Sequence, residues 1–252
     1  MSRPFVNAVL FFKNDEIPFD SSIENSFEIF ENVLKFYSCM LRNSIENSNL
    51  TKSEQPLFYN YLIFNGCNLK KILDHYDSLC LTKMSPTTEH FNGFKSECFY
   101  AGKGIDYRVN SHLINSKKIK MKKLEPKKVC AKFSKICRIW DNGGGVFVVK
   151  LFGECSSFEA LSKEYAIIKA IGLNRLTNVI NGTCYGDMKA CWNETEVVNY
   201  GNMLLMNVFN MCIQETPVLV MENDVFITEK DSTETRRCKW EVEGMLECFL
   251  EM

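Results

Sequence analysis

The sequence predicts a mixed fold of the α/β (α+β) class, in which a small set of strands is flanked by helices. Three segments rich in aromatic and branched residues have strand character, at residues 57–64, 97–101 and 146–152. Apolar residues recur at helical spacing in several segments before, between and after them. The chain has 252 residues, of which 46% are hydrophobic and 24% are charged, so it can bury one good core.

Residues 1–54 are predicted to form an N-terminal helical appendage and linker. Apolar side chains follow helical spacing over residues 26–41, and the polar stretch 43–55 is typical of a linker. The first strand, 57–64, ends at Asn65-Gly66, which is a turn signal. A helical insertion is expected from there to about residue 95.

The second strand, 97–101, is predicted to end in a turn at Gly102-Lys103-Gly104. A short helix containing Arg108 and His112 should follow, and a longer helix is expected over residues 127–140. The third strand, 146–152, comes after a run of glycines that stops this helix.

The last helices are predicted at residues 157–171 and 194–212. The first has Ser156 or Ser157 as its N-cap and Gly172 as its stop. Residues 214–252 carry ten acidic and four basic side chains, and we interpret them as an acidic tail. The predicted boundaries are therefore 1–54, 55–213 for the main domain, and 214–252.

A candidate phosphate-handling site lies around the predicted turn. Tyr100, Lys103, Arg108 and His112 supply a phenol, an ammonium, a guanidinium and an imidazole within thirteen residues. Each of these groups can hold a phosphate or move a proton near one. An ordinary strand–turn–helix with a solvated lysine and arginine would have the same sequence, so both interpretations stay open.

A second candidate is Glu164, which falls within the apolar stripe of the 157–171 helix. Lys163 and Lys169 are expected to lie off that stripe. A carboxylate on an inward face is costly unless it is paired or binds a metal ion. The two alternatives are a structural ion pair with an arginine and a ligand for one divalent cation.

The charge distribution favours a polyanionic partner. Residues 93–150 hold fourteen basic and four acidic side chains, a local net charge of +10, although the whole chain has a net charge of −1. A run of lysines directly follows the phosphate-handling segment: Lys117, Lys118, Lys120, Lys122 and Lys123. Such a run is typical of a surface that follows a nucleic-acid backbone, and equally of a solvated loop.

The twelve cysteines include no Cys-x-x-Cys pair, and the chain has three histidines, so a structural zinc site is not expected. We interpret the cysteines as reduced and mostly part of the core, which favours a nuclear or cytoplasmic protein over a secreted one. No apolar run has the length of a membrane span.

Taken together, residues from about 57 to 213 resemble the GIY-YIG endonuclease family, and most of all the nuclease domain of animal ankyrin-repeat and LEM-domain proteins. The Gly-Ile-Tyr triplet itself is replaced by Tyr59-Asn60-Tyr61, and the second motif reads Tyr100-Ala-Gly-Lys-Gly. The family positions are matched by Tyr61, Tyr100, Arg108, His112, Glu164 and Asn178.

This resemblance implies a small, mainly antiparallel sheet of about three strands with helices packed around it. It also implies hydrolysis of DNA phosphodiesters with a divalent cation, Mg²⁺ or Mn²⁺, held by Glu164. The catalytic set would be Tyr61, Tyr100, Arg108, His112 and Glu164, with either Tyr61 or His112 as the base. Lys103, Asn178 and the five lysines would bind double-stranded DNA, which the animal subgroup suggests is branched or flapped.

Two other classes of function fit the same sequence. One is a non-catalytic nucleic-acid-binding module on this fold, although a pure binder needs no inward carboxylate. The other is a protein-interaction domain that uses the amphipathic N-terminal helix and the acidic tail.

Overall fold

The computed structural model describes residues 23–47, 57–80, 88–105, 108–122 and 129–227. Lys123, the first 22 residues and most of the predicted acidic tail lie outside the described residues. In the described part, the α-helices are α1 (Ile23–Asn47), α2 (Gly66–Cys80), α3 (Thr88–Glu97), α4 (Arg108–Met121), α5 (Ala131–Asp141), α6 (Ser157–Ile171), α7 (Asp187–Ala190) and α8 (Glu194–Gln214). The strands are β1 (Phe58–Asn65), β2 (Cys98–Gly104), β3 (Val146–Cys155) and β4 (Leu219–Val220).

The strands form one antiparallel sheet with the order β2-β1-β3-β4. The prediction of a mixed fold with a small antiparallel sheet is therefore confirmed, but in the described residues the sheet has four strands where about three were expected. The extra strand has only two residues, which pair with Val146 and Phe147 at the start of β3. A segment this short has no periodicity from which it could be predicted.

The predicted turn at Gly102-Lys103-Gly104 is wrong, because these residues continue β2. Gly102 lies opposite Tyr61 and Gly104 lies opposite Tyr59. Glycine is rare in strands, since it has no side chain to pack. Here the missing side chain leaves room for the tyrosine of the neighbouring strand.

The sheet separates two apolar cores. One face carries Tyr61 and Ile63, which pack with residues of α4 and α5 such as Val109 and Ile136. The other face carries Leu62 and Phe64, which belong to the larger core beneath α6 and α8. This division follows from the two-residue period of a strand, which sends neighbouring side chains to opposite faces.

The N-terminal helix α1 contributes to the larger core. Leu34, Tyr37, Leu41 and Ile45 recur at helical spacing and are buried among residues of the main domain. The helix contacts α6, α7 and α8. Much of its apolar face is thus used within the molecule.

Part of the predicted acidic tail also belongs to the folded domain. Strand β4 lies within it, and Val225 is buried in the core beneath α4 and α5. The indole nitrogen of Trp140 donates a hydrogen bond to the backbone carbonyl of Val220 over 3.2 Å. The described domain therefore continues beyond residue 213.

Helix α6 has the predicted ends but is buried on more sides than expected. Ser156 caps it by accepting a hydrogen bond from the Glu159 amide, and it ends at Gly172, whose φ is +94°. Lys163 was expected to lie off the inward stripe, but its exposed fraction is 3%. Lys163 Nζ donates a hydrogen bond to Cys155 Sγ over 3.3 Å and lies 4.9 Å from the centroid of the Phe152 ring, so the end of β3 covers this side of α6.

Nine cysteines whose side chains are described are free thiols, and of these nine Cys98, Cys155 and Cys212 are buried. The interpretation that most of them are core residues does not hold for these nine. None of the helices in the described ranges combines the length and apolar character needed to cross a membrane.

Candidate active site

Tyr61 and Tyr100 form the floor of the site. Tyr61 lies on β1 and Tyr100 on β2, on the same face of the sheet, and their ring centroids are 6.0 Å apart. Gly102 makes this arrangement possible. A Cβ atom at that position would lie 2.7 Å from the Tyr61 hydroxyl oxygen and 2.9 Å from Cε1 of Tyr100, so any larger residue would displace the tyrosines.

His112 closes the site from α4. Its exposed fraction is 7%, and its Nε2 atom lies 2.6 Å from the hydroxyl oxygen of Tyr61. Arg108, at the start of the same helix, lies one turn before His112 and on the same side of it. The amide of Val109 donates a hydrogen bond to the Tyr59 hydroxyl over 3.4 Å, which ties the first turn of α4 to β1.

The site holds its tyrosines protonated and its histidine neutral. Burial raises the pKa of Tyr61 and Tyr100, and the negative charge of Glu164 adds to the rise at both phenols. Burial lowers the pKa of His112 well below its usual value, and the positive charges of Lys132 and Arg108 lower it further. At neutral pH the short contact therefore joins a phenol to an unprotonated imidazole.

Glu164 reaches the site from α6. Burial raises the pKa of its carboxyl to about 7, although Lys103, Arg108 and Lys132 oppose that rise. The Lys103 backbone, on the outer edge of β2, also forms a hydrogen bond that favours the charged carboxylate. The carboxyl is thus poised between its two protonation states near neutral pH.

Lys103 is held beside this carboxyl. Its Nζ donates a hydrogen bond to Ser157 Oγ over 2.8 Å and lies 4.2 Å from the centroid of the Phe58 ring. Burial lowers its pKa, and the Glu164 charge opposes that effect. Lys103 and Ser157 therefore connect the edge of the sheet with the first turn of α6.

Asn178 holds the outer edge of β2. Its Oδ1 accepts a hydrogen bond from the Ala101 amide over 3.1 Å, and its Nδ2 donates one to the Ala101 carbonyl over 2.8 Å. Thr177 adds two donors to the Phe99 carbonyl, its amide at 2.7 Å and its hydroxyl at 2.9 Å. The contacts of Asn178 are thus made to the backbone next to the site.

Comparison with known proteins identifies the family. The profile of the LEM-3-like GIY-YIG domain matches residues 58–226, which is more than half of the chain. The chain belongs to the LEM-3-like GIY-YIG family. The match begins at the first strand and includes β4, in agreement with a domain that continues beyond residue 213.

Three curated proteins are similar in sequence to this chain. Ankyrin repeat and LEM domain-containing protein 1 of Homo sapiens is 33% identical over 99 residues, which cover 39% of this chain and 16% of the relative. The Mus musculus protein of that name is 28% identical over 166 residues, which cover 66% of this chain and 29% of the mouse protein. The Caenorhabditis elegans homolog of that protein is 28% identical over 157 residues, which cover 60% of this chain and 22% of the homolog. This chain therefore spans less than a third of the length of each relative. No solved structure gave a significant match.

The GIY-YIG domain also contains a buried cation that we did not predict from the sequence. Lys132, on α5, has an exposed fraction of 7%, and its Nζ lies 3.2 Å from His112 Nε2 and 4.0 Å from the centroid of the Tyr100 ring. A signal was present, since Lys132 precedes the buried residues Ile136, Ile139 and Trp140 by four, seven and eight positions. Like Glu164, Lys132 is a charged residue within the apolar stripe of its helix.

The predicted lysine run of the GIY-YIG domain divides into different environments. Lys117 Nζ donates hydrogen bonds to the carbonyls of Glu222 and Val225, over 3.2 and 2.7 Å. Lys120 Nζ lies 2.7 Å from Asp141 Oδ1 and 2.6 Å from Glu222 Oε2. Lys118 is half-buried and Lys122 is exposed. Lys117 and Lys120 therefore anchor the segment that follows β4 to α4.

Glu164 is the residue of the GIY-YIG domain that best suits a divalent cation. The described part of the chain contains no group of three or more His, Cys, Asp or Glu side chains that could hold a metal ion. A single carboxylate does fit Mg²⁺, which keeps several waters and is commonly bound by one or two carboxylates together with substrate phosphates. The charge needed for binding is present once the carboxyl, with its pKa of about 7, loses its proton.

Proposed function

We propose that this GIY-YIG domain is an endonuclease that hydrolyses phosphodiester bonds of DNA with the help of a divalent cation. The observation that best supports this proposal is the 2.6 Å contact between the Tyr61 hydroxyl and His112 Nε2. This contact joins a proton donor to a neutral acceptor, beside the cationic side chains of Arg108 and Lys132. A site that only binds nucleic acid needs no such pair.

Tyr61 and His112 would move the proton of the attacking water. Because the pKa of Tyr61 is raised, the phenol can serve as a base only if its own proton leaves as it accepts another. In the proposed step the water proton passes to the Tyr61 oxygen while the Tyr61 proton passes to His112 Nε2. The resulting hydroxide attacks phosphorus, and the bond from phosphorus to the leaving sugar oxygen breaks.

Arg108 and Lys103 would neutralise the phosphate. A guanidinium presents several N–H donors to nonbridging oxygens, and their charge complements the negative charge that develops in the transition state. Lys103 is already oriented by Ser157, so part of the entropy of fixing its side chain has been lost in the folded protein. Tyr100 would help to position the phosphate from the floor of the site.

Glu164 would hold Mg²⁺ or Mn²⁺, with waters and the DNA phosphate completing the coordination. When bound, the cation supplies charge stabilisation for the leaving oxygen. The substrate would be double-stranded DNA, including branched or flapped forms. Among the described lysines of the run, Lys118 and Lys122 would follow its backbone.

The test is a cleavage assay with end-labelled linear, flapped and four-way duplexes, each with Mg²⁺, Mn²⁺ or a chelator. We expect cleavage that needs the metal ion and is lost in Glu164→Gln while DNA binding remains. Glu89→Gln, the same change at an exposed position of α3, is the matched control and should cut normally. Tyr61→Phe should cut at least about 100-fold more slowly, the lower range for losing a general base.

Other results would favour other functions. Metal-independent DNA binding without cleavage by the unmodified chain would indicate a non-catalytic nucleic-acid-binding module. Absence of both binding and cleavage would favour a protein-interaction domain. Cleavage by Glu164→Gln at the unmodified rate would show that Glu164 is not the metal ligand.

A further inference from the structure

Lys132 occupies an unusual position for a lysine, because it is buried against the histidine of the site. Its Nζ lies 3.2 Å from His112 Nε2, the same nitrogen that lies 2.6 Å from the Tyr61 hydroxyl. It also lies above the Tyr100 ring, 4.0 Å from the centroid, where a cation is attracted to the π-electrons. One imidazole nitrogen therefore faces two groups, from β1 and from α5.

The chemistry of these groups limits the state of the imidazole. A lysine ammonium has three donors and no acceptor, so it can contact Nε2 favourably only when that nitrogen carries a lone pair. A neutral imidazole then carries its proton on Nδ1. A charged imidazole would instead place an N–H against an ammonium of the same sign 3.2 Å away, so the imidazolium formed in the proposed step is transient and passes its proton on to solvent.

We propose that Lys132 is a positioning residue that keeps His112 neutral and keeps its lone pair on Nε2, directed at the Tyr61 hydroxyl. This inference deepens the proposed function and rests on it for its role in catalysis. Without Lys132, the imidazole could take up a proton from solvent or adopt the other tautomer. In either state Nε2 could not receive the Tyr61 proton.

The other groups around His112 do not replace Lys132. Phe133 of α5 contributes only a ring, 6.0 Å away between centroids. Glu164 influences the two tyrosines from α6. Among the described residues, the titratable or charged groups that face His112 are Tyr61 of β1, Tyr100 of β2, Lys132 of α5 and, on its own helix, Arg108.

The experiment follows the His112 imidazole by NMR in the whole chain, without DNA or metal. The signal is assigned by its loss in His112→Asn. Lys132→Met keeps the length and removes the charge, and Lys132→Arg keeps a charge. Lys135→Met is the matched control, since Lys135 lies three positions after Lys132 on the same helix.

We expect the pKa of His112 to rise by about one unit or more in Lys132→Met, because the variant lacks the adjacent positive charge that opposes protonation of the imidazole. It should stay low in Lys132→Arg and in the control. The ring-carbon and nitrogen shifts of the unmodified chain should show the Nδ1–H tautomer. An unchanged pKa in Lys132→Met, or an Nε2–H tautomer in the unmodified chain, would overturn the inference. The tautomer measurement does not use Lys132→Met, so it remains decisive if that variant does not fold.

The pH profile of cleavage links this state to catalysis. At saturating Mn²⁺, Lys132→Met should lose more rate than the unmodified chain toward the acid end of the profile and regain it as the pH rises and His112 loses its proton. An equal loss at every pH would indicate a merely structural role and contradict the proposal. If the unmodified chain cuts no DNA at all, the endonuclease proposal fails, whereas the NMR result still decides the state of His112.

Discussion

Glu159 and Glu164 lie five residues apart on helix α6, and the pKa values of their carboxyl groups move in opposite directions. Burial raises the pKa of Glu159, but Lys163 and Arg42 outweigh burial, so that its pKa is lowered overall. Lys163 Nζ lies 2.9 Å from Glu159 Oε1, and Arg42 Nε lies 3.2 Å from Oε2. For Glu164 burial prevails, and its pKa rises to about 7. One helix thus carries a fully paired anion on one side and a titratable acid on the other.

The raised pKa of Glu164 predicts that Glu164→Gln stabilises the fold at alkaline pH. Because the folded-state pKa lies above the unfolded value, this carboxyl favours folding at low pH and loses that contribution as the pH rises from about 4.5 to 7. Without metal at pH 8, the variant should gain about 1–3 kcal/mol in its free energy of unfolding. Urea unfolding at pH 5 and pH 8 would measure the gain, and Glu89→Gln should show none. A variant that loses stability at pH 8 would contradict the raised pKa.

Glu159 should behave in the opposite way. Glu159→Gln leaves Lys163 buried without its charged partner, so the free energy of unfolding should fall by about 3–5 kcal/mol. Arg42→Met should lose much less, because the Arg42 side chain is 52% exposed and its charge is screened. Since the folded-state pKa of Glu159 is depressed, its contribution is present above pH 4.5 and is lost as the pH falls further. Equal losses in the two variants, measured by urea unfolding at pH 7, would show that burial does not decide the strength of this pair.

Asn178 is predicted to act on stability rather than on DNA affinity. Asn178→Ala removes two hydrogen bonds to Ala101 and should cost about 1–3 kcal/mol in the free energy of unfolding. The affinity of the folded variant for DNA should stay within about twofold of the unmodified value. The lost hydrogen bonds are made to the protein backbone, so they contribute to folding and not to DNA binding. Fluorescence anisotropy well below the melting temperature would check this. Unchanged stability with a large loss of affinity would instead restore the sequence-based assignment of Asn178 to DNA binding.

Much of this site was predictable from local patterns, and the exceptions have specific physical reasons. Glu164 stood out because a carboxylate within an apolar stripe needs a partner, and the helix ends at Ser156 and Gly172 followed from capping chemistry. The environment of Lys163 was not predictable from one helix. Its burial depends on contacts with Cys155 and Phe152, which the fold brings to α6 at the end of β3.

The continuation of β2 through Gly102 was hidden for a related reason. Intrinsic preference places glycine in turns, whereas here the ring of Tyr61 on the neighbouring strand requires it. That requirement arises from a pairing across more than thirty residues of chain. The contacts of Lys117 with Glu222 and Val225 are longer in range still, and the lysine run alone does not reveal them.

We expect Lys117, on α4, to contribute to stability and Lys122, which follows α4, to contribute to DNA binding. Lys122→Ala should lower the salt dependence of DNA binding by about one unit of slope, since one phosphate contact is lost, and should leave stability unchanged. Lys117→Ala should lower the melting temperature, because the carbonyls of Glu222 and Val225 lose their donor. Binding titrations at several salt concentrations, together with thermal unfolding, would test both. A slope that is insensitive to Lys122 would place the DNA backbone elsewhere.

The hydrogen bonds of Thr177 and Asn178 to β2 also bear on solubility. A strand at the end of a sheet presents unpaired amides and carbonyls, which can template pairing with a second chain. Phe99 and Ala101 would offer such groups if the loop after α6 were detached. A shortened or rearranged loop would therefore invite intermolecular strand pairing and aggregation, even with every side chain of the site intact. Any dissection of the domain should keep residues 173–178 together with the sheet.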